Sequence, residues 1–258
     1  MLAKQRREKI LELLKENSTV HTSELVDILS VSSETIRSDL DYLEKEGQLS
    51  RVHGGAVPIN NFSSDFKRGY IPLQIRNTQN LSEKANIASY AKRFVKDGDI
   101  IALDYGSTSQ IMAMELRENF HNLTVVTNSI QNAMILADNP NITVMLIGGI
   151  LNREEYTLVN DFSTALSDIH IDTMFMTVTG IDPVIGCTDQ RLNELKIQQQ
   201  LHRCASRTIV LADSSKFGKA SFLKICPIEE IDTIVTDSNL SSDMTDRITN
   251  AGANIYMA

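Results

Sequence analysis

The strongest constraint on this chain is an alternation. Short apolar runs at residues 100–103, 123–126, 143–147, 173–178, 208–211 and 233–236 are separated by stretches with helical periodicity. Ile100-Ile101-Ala102-Leu103 has no polar position, and such a run suits a strand covered on both faces, as parallel strands are. The intervening helices are expected at 109–118, 130–138, 163–169, 194–205 and 243–251. Alternation of this kind predicts an open α/β sheet with helices on both faces. Ahead of it, Asn80 and Glu83 have the spacing of a capping box for a helix reaching about Val95, and Asp97-Gly98-Asp99 makes a turn into the first strand.

Open sheets bind ligands beyond the carboxyl ends of their strands. Strand 100–103 runs into Asp104-Tyr105-Gly106-Ser107-Thr108-Ser109. Gly106 allows a tight turn, after which the amides and hydroxyls of Ser107, Thr108 and Ser109 face an anion at a helix N-terminus. Strand 123–126 ends in Thr127-Asn128-Ser129, a second polar rim. Strand 143–147 ends in Gly148-Gly149, which permits close backbone approach. Strand 208–211 leads to Asp213-Ser214-Ser215-Lys216-Phe217-Gly218, which adds a cation. Each piece alone is ordinary helix capping or a solvated side chain. Four polar strand ends on one sheet edge suit a phosphate carrying several hydroxyls. No Gly-x-Gly-x-x-Gly follows the first strand and no nucleotide-binding P-loop occurs, so no cofactor is expected. Cys187, Cys204 and Cys226 lack metal-ligand spacing, and no metal site is expected.

The first 57 residues follow another pattern. Ile10, Leu13 and Leu14 form one apolar helix face within 3–16. Thr22 is placed to cap a helix over 23–29, with Leu25, Ile28 and Leu29 as its buried stripe. After the turn Ser30-Val31-Ser32, a third helix is expected over 33–46, capped by Ser32, stopped by Gly47, and built on Ile36, Leu40 and Leu43. Two short helices joined so tightly read as a helix-turn-helix. The N-terminal turns of the second helix would meet base edges, and they carry Ser33, Glu34, Thr35, Arg37 and Ser38. Arg37 suits a guanine or a phosphate. Leu49, Val52, a Gly54-Gly55 turn, Ala56 and Val57 predict a β-hairpin wing presenting Arg51 and His53, and Lys4, Arg6 and Arg7 are further candidate phosphate contacts. Composition does not help, since residues 1–57 hold eight Lys/Arg against ten Asp/Glu and the whole chain has a net charge of −8. Placement has to carry the DNA-binding expectation.

The stretches Val31-Ser32-Ser33-Glu34-Thr35-Ile36-Arg37-Ser38-Asp39-Leu40 and Arg51-Val52-His53-Gly54-Gly55-Ala56 resemble the DeoR family of bacterial repressors. Asp104-Tyr105-Gly106-Ser107-Thr108, Val126-Thr127-Asn128-Ser129, Gly148-Gly149 and Asp213-Ser214-Ser215-Lys216-Phe217-Gly218 resemble the effector domain of that family, whose fold is similar to ribose-5-phosphate isomerases. The resemblance implies a repressor of carbohydrate genes controlled by a phosphorylated sugar. It implies phosphate bound around Gly106–Ser109, with Asp104, Asn128 and Lys216 nearby. It also brings Thr179, Asp182 and Glu194 into the pocket. Three positions depart from the family pattern: Ser38 replaces a second Arg, Thr179 an acidic residue, and Gln198 a Lys.

The expected organisation is a winged helix-turn-helix over 1–57, a linker over 58–80, and an α/β effector domain over 81–258. The expected partners are double-stranded operator DNA, a phosphorylated sugar, and further copies of the chain, since paired heads match repeated half-sites. No apolar run approaches the length of a membrane helix and the N-terminus lacks a signal pattern, so a cytoplasmic location is expected. An isomerase is the competing reading. It needs a general base, which Thr179 cannot supply, leaving Asp104, Asp182 and Glu194. A second domain that only oligomerises is the third reading.

Overall fold

The computed structural model describes residues 3–17, 20–46, 48–52, 54–58, 71–159, 166 and 168–258. The chain divides into two compact units, Met1–Ile71 and Pro72–Ala258.

In the first unit, helices α1 (Ala3–Asn17), α2 (Thr22–Leu29) and α3 (Ser33–Lys45) pack with strands β1 (Val20–His21), β2 (Leu49–Val52) and β3 (Gly55–Pro58). The sheet order is β1-β3-β2, antiparallel throughout, so the expected wing gains a third strand. Gly55 is required where β3 crosses β1, because a Cβ there would lie 2.0 Å from the Val20 carbonyl oxygen. Ile10, Leu14, Leu25, Leu29, Ile36, Leu40, Leu43 and Leu49 are buried together. Each such side chain contributes about 1.5–3 kcal/mol on burial. Ile28 departs from expectation and is 56% exposed. Leu25 and Leu29 set the inward face of α2, and Val26 rather than Ile28 completes it.

Ser32 caps α3, its hydroxyl accepting from the Thr35 amide at 3.3 Å. Thr22 does not cap α2. His21 occupies that position in extended backbone, because β1 runs straight into the helix and the Thr22 amide donates to the Gly54 carbonyl at 2.7 Å. Gly47, the expected stop of α3, lies outside the described residues.

In the second unit, the described residues form a seven-stranded parallel sheet. Its strands are β4 (Ile100–Leu103), β5 (Leu123–Thr127), β6 (Ile142–Leu146), β9 (Thr173–Thr177), β12 (Thr208–Leu211), β14 (Thr233–Thr236) and β15 (Asn254–Met257). The order is β15-β14-β12-β9-β4-β5-β6. Alternate residues feed opposite cores, as strand geometry requires. Ile101, Leu103, Phe175, Ile209, Leu211 and Val235 face α5 (Leu81–Ala91), α6 (Ser107–Asn119) and α7 (Ile130–Ala137). Ala102, Met174, Met176, Val210 and Ile234 face α8 (Leu192–Cys204) and α9 (Ser242–Asn250). The chain builds outward from β4 through β5 and β6, then returns to β9 and builds the other way. The order therefore reverses between β4 and β9, and a crevice opens where their carboxyl ends diverge.

Several elements depart from expectation. Helix α4 (Leu73–Arg76) buries Leu73 and Ile75 in the second unit, so residues 72–80 are part of that unit instead of linker. Asn80 and Glu83 make no capping box. Asn80 is left-handed, and its Nδ2 donates to Asp213 Oδ1 at 3.2 Å, while Glu83 accepts from Ser82. Besides the edge strand β15, two further features were not expected. One is a hairpin of β7 (Ile150–Asn152) and β8 (Thr157–Val159). The other is an antiparallel sheet of β10 (Gly180–Asp182), β11 (Gly186–Asp189) and β13 (Leu223–Cys226). In that sheet the free thiols Cys187 and Cys226 are register partners. Most of the helix expected over 163–169 lies outside the described residues.

Candidate functional site

The crevice at the β4–β9 switch is lined first by the loop from Leu103 to α6. Gly106 takes φ +124, a region costly for any residue with a side chain, and a Cβ on it would lie 2.9 Å from Thr177 Oγ1 and 3.5 Å from Arg76 Nη1. Gly106 is also the N-cap of α6, so no side chain caps that helix. Ser107, Thr108 and Ser109 open it and are all buried. Ser109 ties the loop to α7, since its hydroxyl donates to the Asp104 carbonyl and accepts from Asn132 Nδ2 at 2.9 Å.

Asp104 is fully buried. It accepts from the Thr177 amide at 2.7 Å and Gln198 Nε2 at 2.9 Å, and contacts Thr177 Oγ1 at 3.2 Å. Burial outweighs these bonds and raises its pKa to about 8, so the carboxyl is largely protonated at neutral pH. The Thr177 hydroxyl has one proton and lies 2.6 Å from the Tyr105 carbonyl. A protonated Asp104 supplies the second proton that this pair of contacts needs. Gln198 also donates to the Thr177 carbonyl at 2.8 Å, yet its own buried Oε1 has no partner among the described residues. A buried acceptor without a donor costs about 1–3 kcal/mol, so the position favours a ligand hydroxyl.

Among the described residues, Arg76, Lys84, Arg191 and Lys216 gather here, with Lys219 close enough to act on Lys216. Arg76 puts Nη1 beside Gly106 and Nη2 on Glu155. Lys84 donates to the carbonyls of Arg76 and Gln79, holding the end of α4; burial lowers its pKa to about 8. Arg191 grips Asp189 with Nε at 2.8 Å and Nη2 at 2.7 Å, and its guanidinium lies over the Tyr105 ring, whose hydroxyl donates to the same carboxylate at 3.0 Å. Lys216, on a short 3-10 turn, has its pKa lowered by burial, with Arg76, Arg191 and Lys219 acting in the same direction against Asp213. An N-terminus of a 13-residue helix without a side-chain cap, bordered by Arg76, is suited to an anion.

The other expected residues are placed as follows. Thr127, Asn128 and Ser129 build the start of α7 and anchor β8: Thr127 Oγ1 accepts from the Ser129 amide, Ser129 caps Asn132, and the Asn128 carbonyl accepts from the Leu158 amide at 2.8 Å. Thr179 rests on Asp189 and Arg191 at 3.1 and 3.0 Å. Glu194 is buried and pushed up by that burial, with Asn152 and Thr157 donating to it. Asp182 is given to a turn instead, accepting the amides of Val184 and Ile185 at 2.9 Å. Gly148 shows no close approach, since a Cβ there meets nothing within 4 Å among the described residues, and Gly149 follows it into β7. Sequence reasoning missed Arg76, Lys84, Glu155, Asp189 and Arg191. Arg76 fell in the supposed linker, and no spacing rule ties it to Gly106.

In the first unit, Ser33, Glu34, Arg37 and Ser38 are exposed at the start of α3, and Thr35 is half-buried. Arg37 is 58% exposed and only loosely paired with Glu34 at 3.6 Å. Such a pair contributes little, so Arg37 is available to DNA. Arg6 is not. Its Nε and that of Arg7 at 2.8 Å both meet Asp39, which is buried and needs the countercharge. Arg51 pairs with Asp41, and its amide donates to Glu44 at 2.7 Å. His53 lies outside the described residues. Among the described residues no cluster could hold a metal ion, and no helix is long and apolar enough to cross a membrane.

Comparison with known proteins agrees with both halves. The model of the DeoR-like helix-turn-helix domain matches residues 6–62, and that of the DeoR C terminal sensor domain matches 79–238. The chain is 37% identical over 241 residues to the uncharacterized HTH-type transcriptional regulator YulB of Bacillus subtilis, covering 93% of this chain and 91% of that one. It is 34% identical over 255 residues to the HTH-type transcriptional regulator GolR of Listeria innocua, covering 98% of each. It is 32% identical over 237 residues to the lactose phosphotransferase system repressor of Staphylococcus epidermidis, covering 91% and 92%. A D-ribose-5-phosphate isomerase structure aligns at 21% identity and a TM-score of 0.40 over 52% of each chain, an overlap too partial to bear on function.

Proposed function

The chain belongs to the DeoR family of helix-turn-helix transcriptional regulators, and from that premise we propose that it represses carbohydrate-metabolism genes under the control of a phosphorylated sugar. The observation that carries the reading is the N-terminus of α6, without a side-chain cap and bordered by Arg76. A phosphoryl group there accepts the first-turn amides and the hydroxyls of Ser107 and Thr108. Lys216, Arg76 and Arg191 supply the countercharge. The Gln198 carbonyl oxygen meets a sugar hydroxyl, while Asp104 holds Thr177 and Gln198 in place beneath it. A relative named as a lactose phosphotransferase system repressor supports this choice of ligand.

In the first unit, Ser33, Glu34, Thr35, Arg37 and Ser38 read operator DNA, with Arg37 as the principal contact. Paired heads of a homo-oligomer would match repeated half-sites. Effector and DNA each change the affinity of the other by one common factor, typically a coupling of about 1–3 kcal/mol. The α/β unit is a sensor on this reading, not a catalyst.

The test is a thermal-shift panel of phosphorylated and free sugars, followed by binding of the DNA flanking the protein's own gene with and without any hit. A ligand at about 100 times its Kd stabilises by about 2.7 kcal/mol. One sugar phosphate should stabilise the protein where its free sugar does not, and should change DNA affinity. No stabilisation across the panel would overturn the reading.

A further inference from the structure

We propose that Glu155 is a built-in counter-anion of the effector site, which a bound phosphoryl group displaces from Arg76, releasing the β7–β8 hairpin. The proposal deepens the anion-site reading above and rests on it.

The geometry turns on one guanidinium. Arg76 Nη1 borders the Gly106 end of α6, and Arg76 Nη2 donates to Glu155 Oε2. Arg191 Nη1 reaches the same oxygen at 3.4 Å. Glu155 is 1% exposed, so its carboxylate sits within the cationic cluster, on the cation that an anion at α6 would use. Two anions sharing one guanidinium in a poorly solvated crevice repel each other.

Charge counting sharpens this. Arg76, Lys84, Arg191 and Lys216 face the carboxylates of Glu155, Asp189 and Asp213. Asp104 and Glu194 are both shifted toward the protonated form. A phosphoryl group brings about −1.5 to −2 charges at neutral pH, and it would compete with Glu155 for the Arg76 guanidinium that the two share. Asp189 is locked by the Nε and Nη2 groups of Arg191, by the Tyr105 hydroxyl and by the Gln190 amide. Asp213 is tied into its own turn through the Ser215 amide at 3.1 Å and to Asn80.

Glu155 is the movable one, because it rides on a marginal element. It lies in the turn between β7 and β8, strands of three residues each. An isolated two-stranded hairpin is barely stable in water. Ile150 and Leu151 of β7 are 72% and 46% exposed, and the next residue after Glu155, Tyr156, is held at φ +53. The hairpin is fastened through polar contacts: Glu155 to the arginines, Asn152 and Thr157 to Glu194, the Tyr156 carbonyl to the Ile130 amide at 2.9 Å, and β8 to the start of α7 through the Leu158 amide on the Asn128 carbonyl and a bridge between Ser129 and Thr157. Loss of the Glu155 contacts removes the fastening nearest the ligand.

The experiment uses inorganic phosphate as the probe, at constant ionic strength set with chloride, on the full chain. Glu155→Gln should bind phosphate about tenfold more tightly than wild type by calorimetry, a gain of about 1.4 kcal/mol. In wild type, phosphate should speed hydrogen exchange of the amides in 150–159 while slowing it at the start of α6. Equal or weaker binding by Glu155→Gln, or slower exchange in the hairpin, overturns the proposal while leaving the anion site intact. Protection of α6 by phosphate in wild type separates that case from failure of the site itself. If neither protein binds phosphate, both readings fall. Should Glu155→Gln not fold, the wild-type exchange pattern alone decides.

Discussion

Single residues here are governed by burial and charge that sequence spacing cannot display. Asp104 is the clearest case. Its folded pKa of about 8 exceeds the ordinary 3.8, so the folded chain holds a proton that the unfolded chain releases across that interval. This contribution to stability is complete below about pH 4 and is lost progressively as pH rises to about 8, at a limiting slope of about 1.4 kcal/mol per unit. Asp104→Asn carries no titrating group and still offers an oxygen to the Thr177 amide and Gln198. Urea unfolding from pH 4 to 8 should therefore lose that slope in the variant, and an unchanged slope would assign the proton elsewhere. Asp39 shows the complementary case. Arg6 and Arg7 read as free basic residues because nothing in the sequence shows that a carboxylate 33 and 32 positions away is buried against them. Arg76 and Arg191 were missed for the same reason. Pairing over long separations is set by packing, and charge alone leaves no periodic trace.

Elements were legible in proportion to how much apolar surface they bury. The parallel strands stand out because both their faces are covered, giving runs such as Ile100–Leu103 and Thr208–Leu211. The hairpin of β7 and β8 left no such pattern, since its strands have three residues each and β7 is largely exposed. Strand β15 sits at a sheet edge, with exposed and half-buried positions mixed, and was overlooked for that reason. Helix α6 was recognised, but its start was placed two residues late because buried Ser107 and Thr108 look like loop. That start depends on Gly106. Gly106→Ala would force a side chain into φ +124 and within 2.9 Å of Thr177 Oγ1. Backbone strain of this kind costs about 1–3 kcal/mol. The variant should unfold at lower urea by that amount and lose phosphate binding by calorimetry. Retained stability with retained binding would mean that the turn is not what shapes the anion seat.

At the scale of the whole molecule, the division into two units sets what each mutation can disturb. The family models fall on either side of the boundary, matching 6–62 and 79–238. The DNA contacts proposed for α3 and the anion seat at α6 therefore belong to separately packed cores. Arg37 is 58% exposed and only loosely paired with Glu34 at 3.6 Å. Arg37→Ala should lower operator affinity by about 1–3 kcal/mol, the range of one bidentate base contact, with unfolding and phosphate binding unchanged. Linkage adds a stricter condition. If effector weakens wild-type DNA binding by some factor, saturating DNA must weaken effector binding by the same factor. Titrating phosphate ligand against free and DNA-bound protein, then DNA against free and ligand-bound protein, closes that cycle. In Arg37→Ala both absolute DNA affinities should fall together while the ratio between them persists, because the residue is proposed to touch DNA and not the element that moves. A ratio that collapses toward one would place Arg37 on the route of communication, and the two units would then have to be treated as one coupled device.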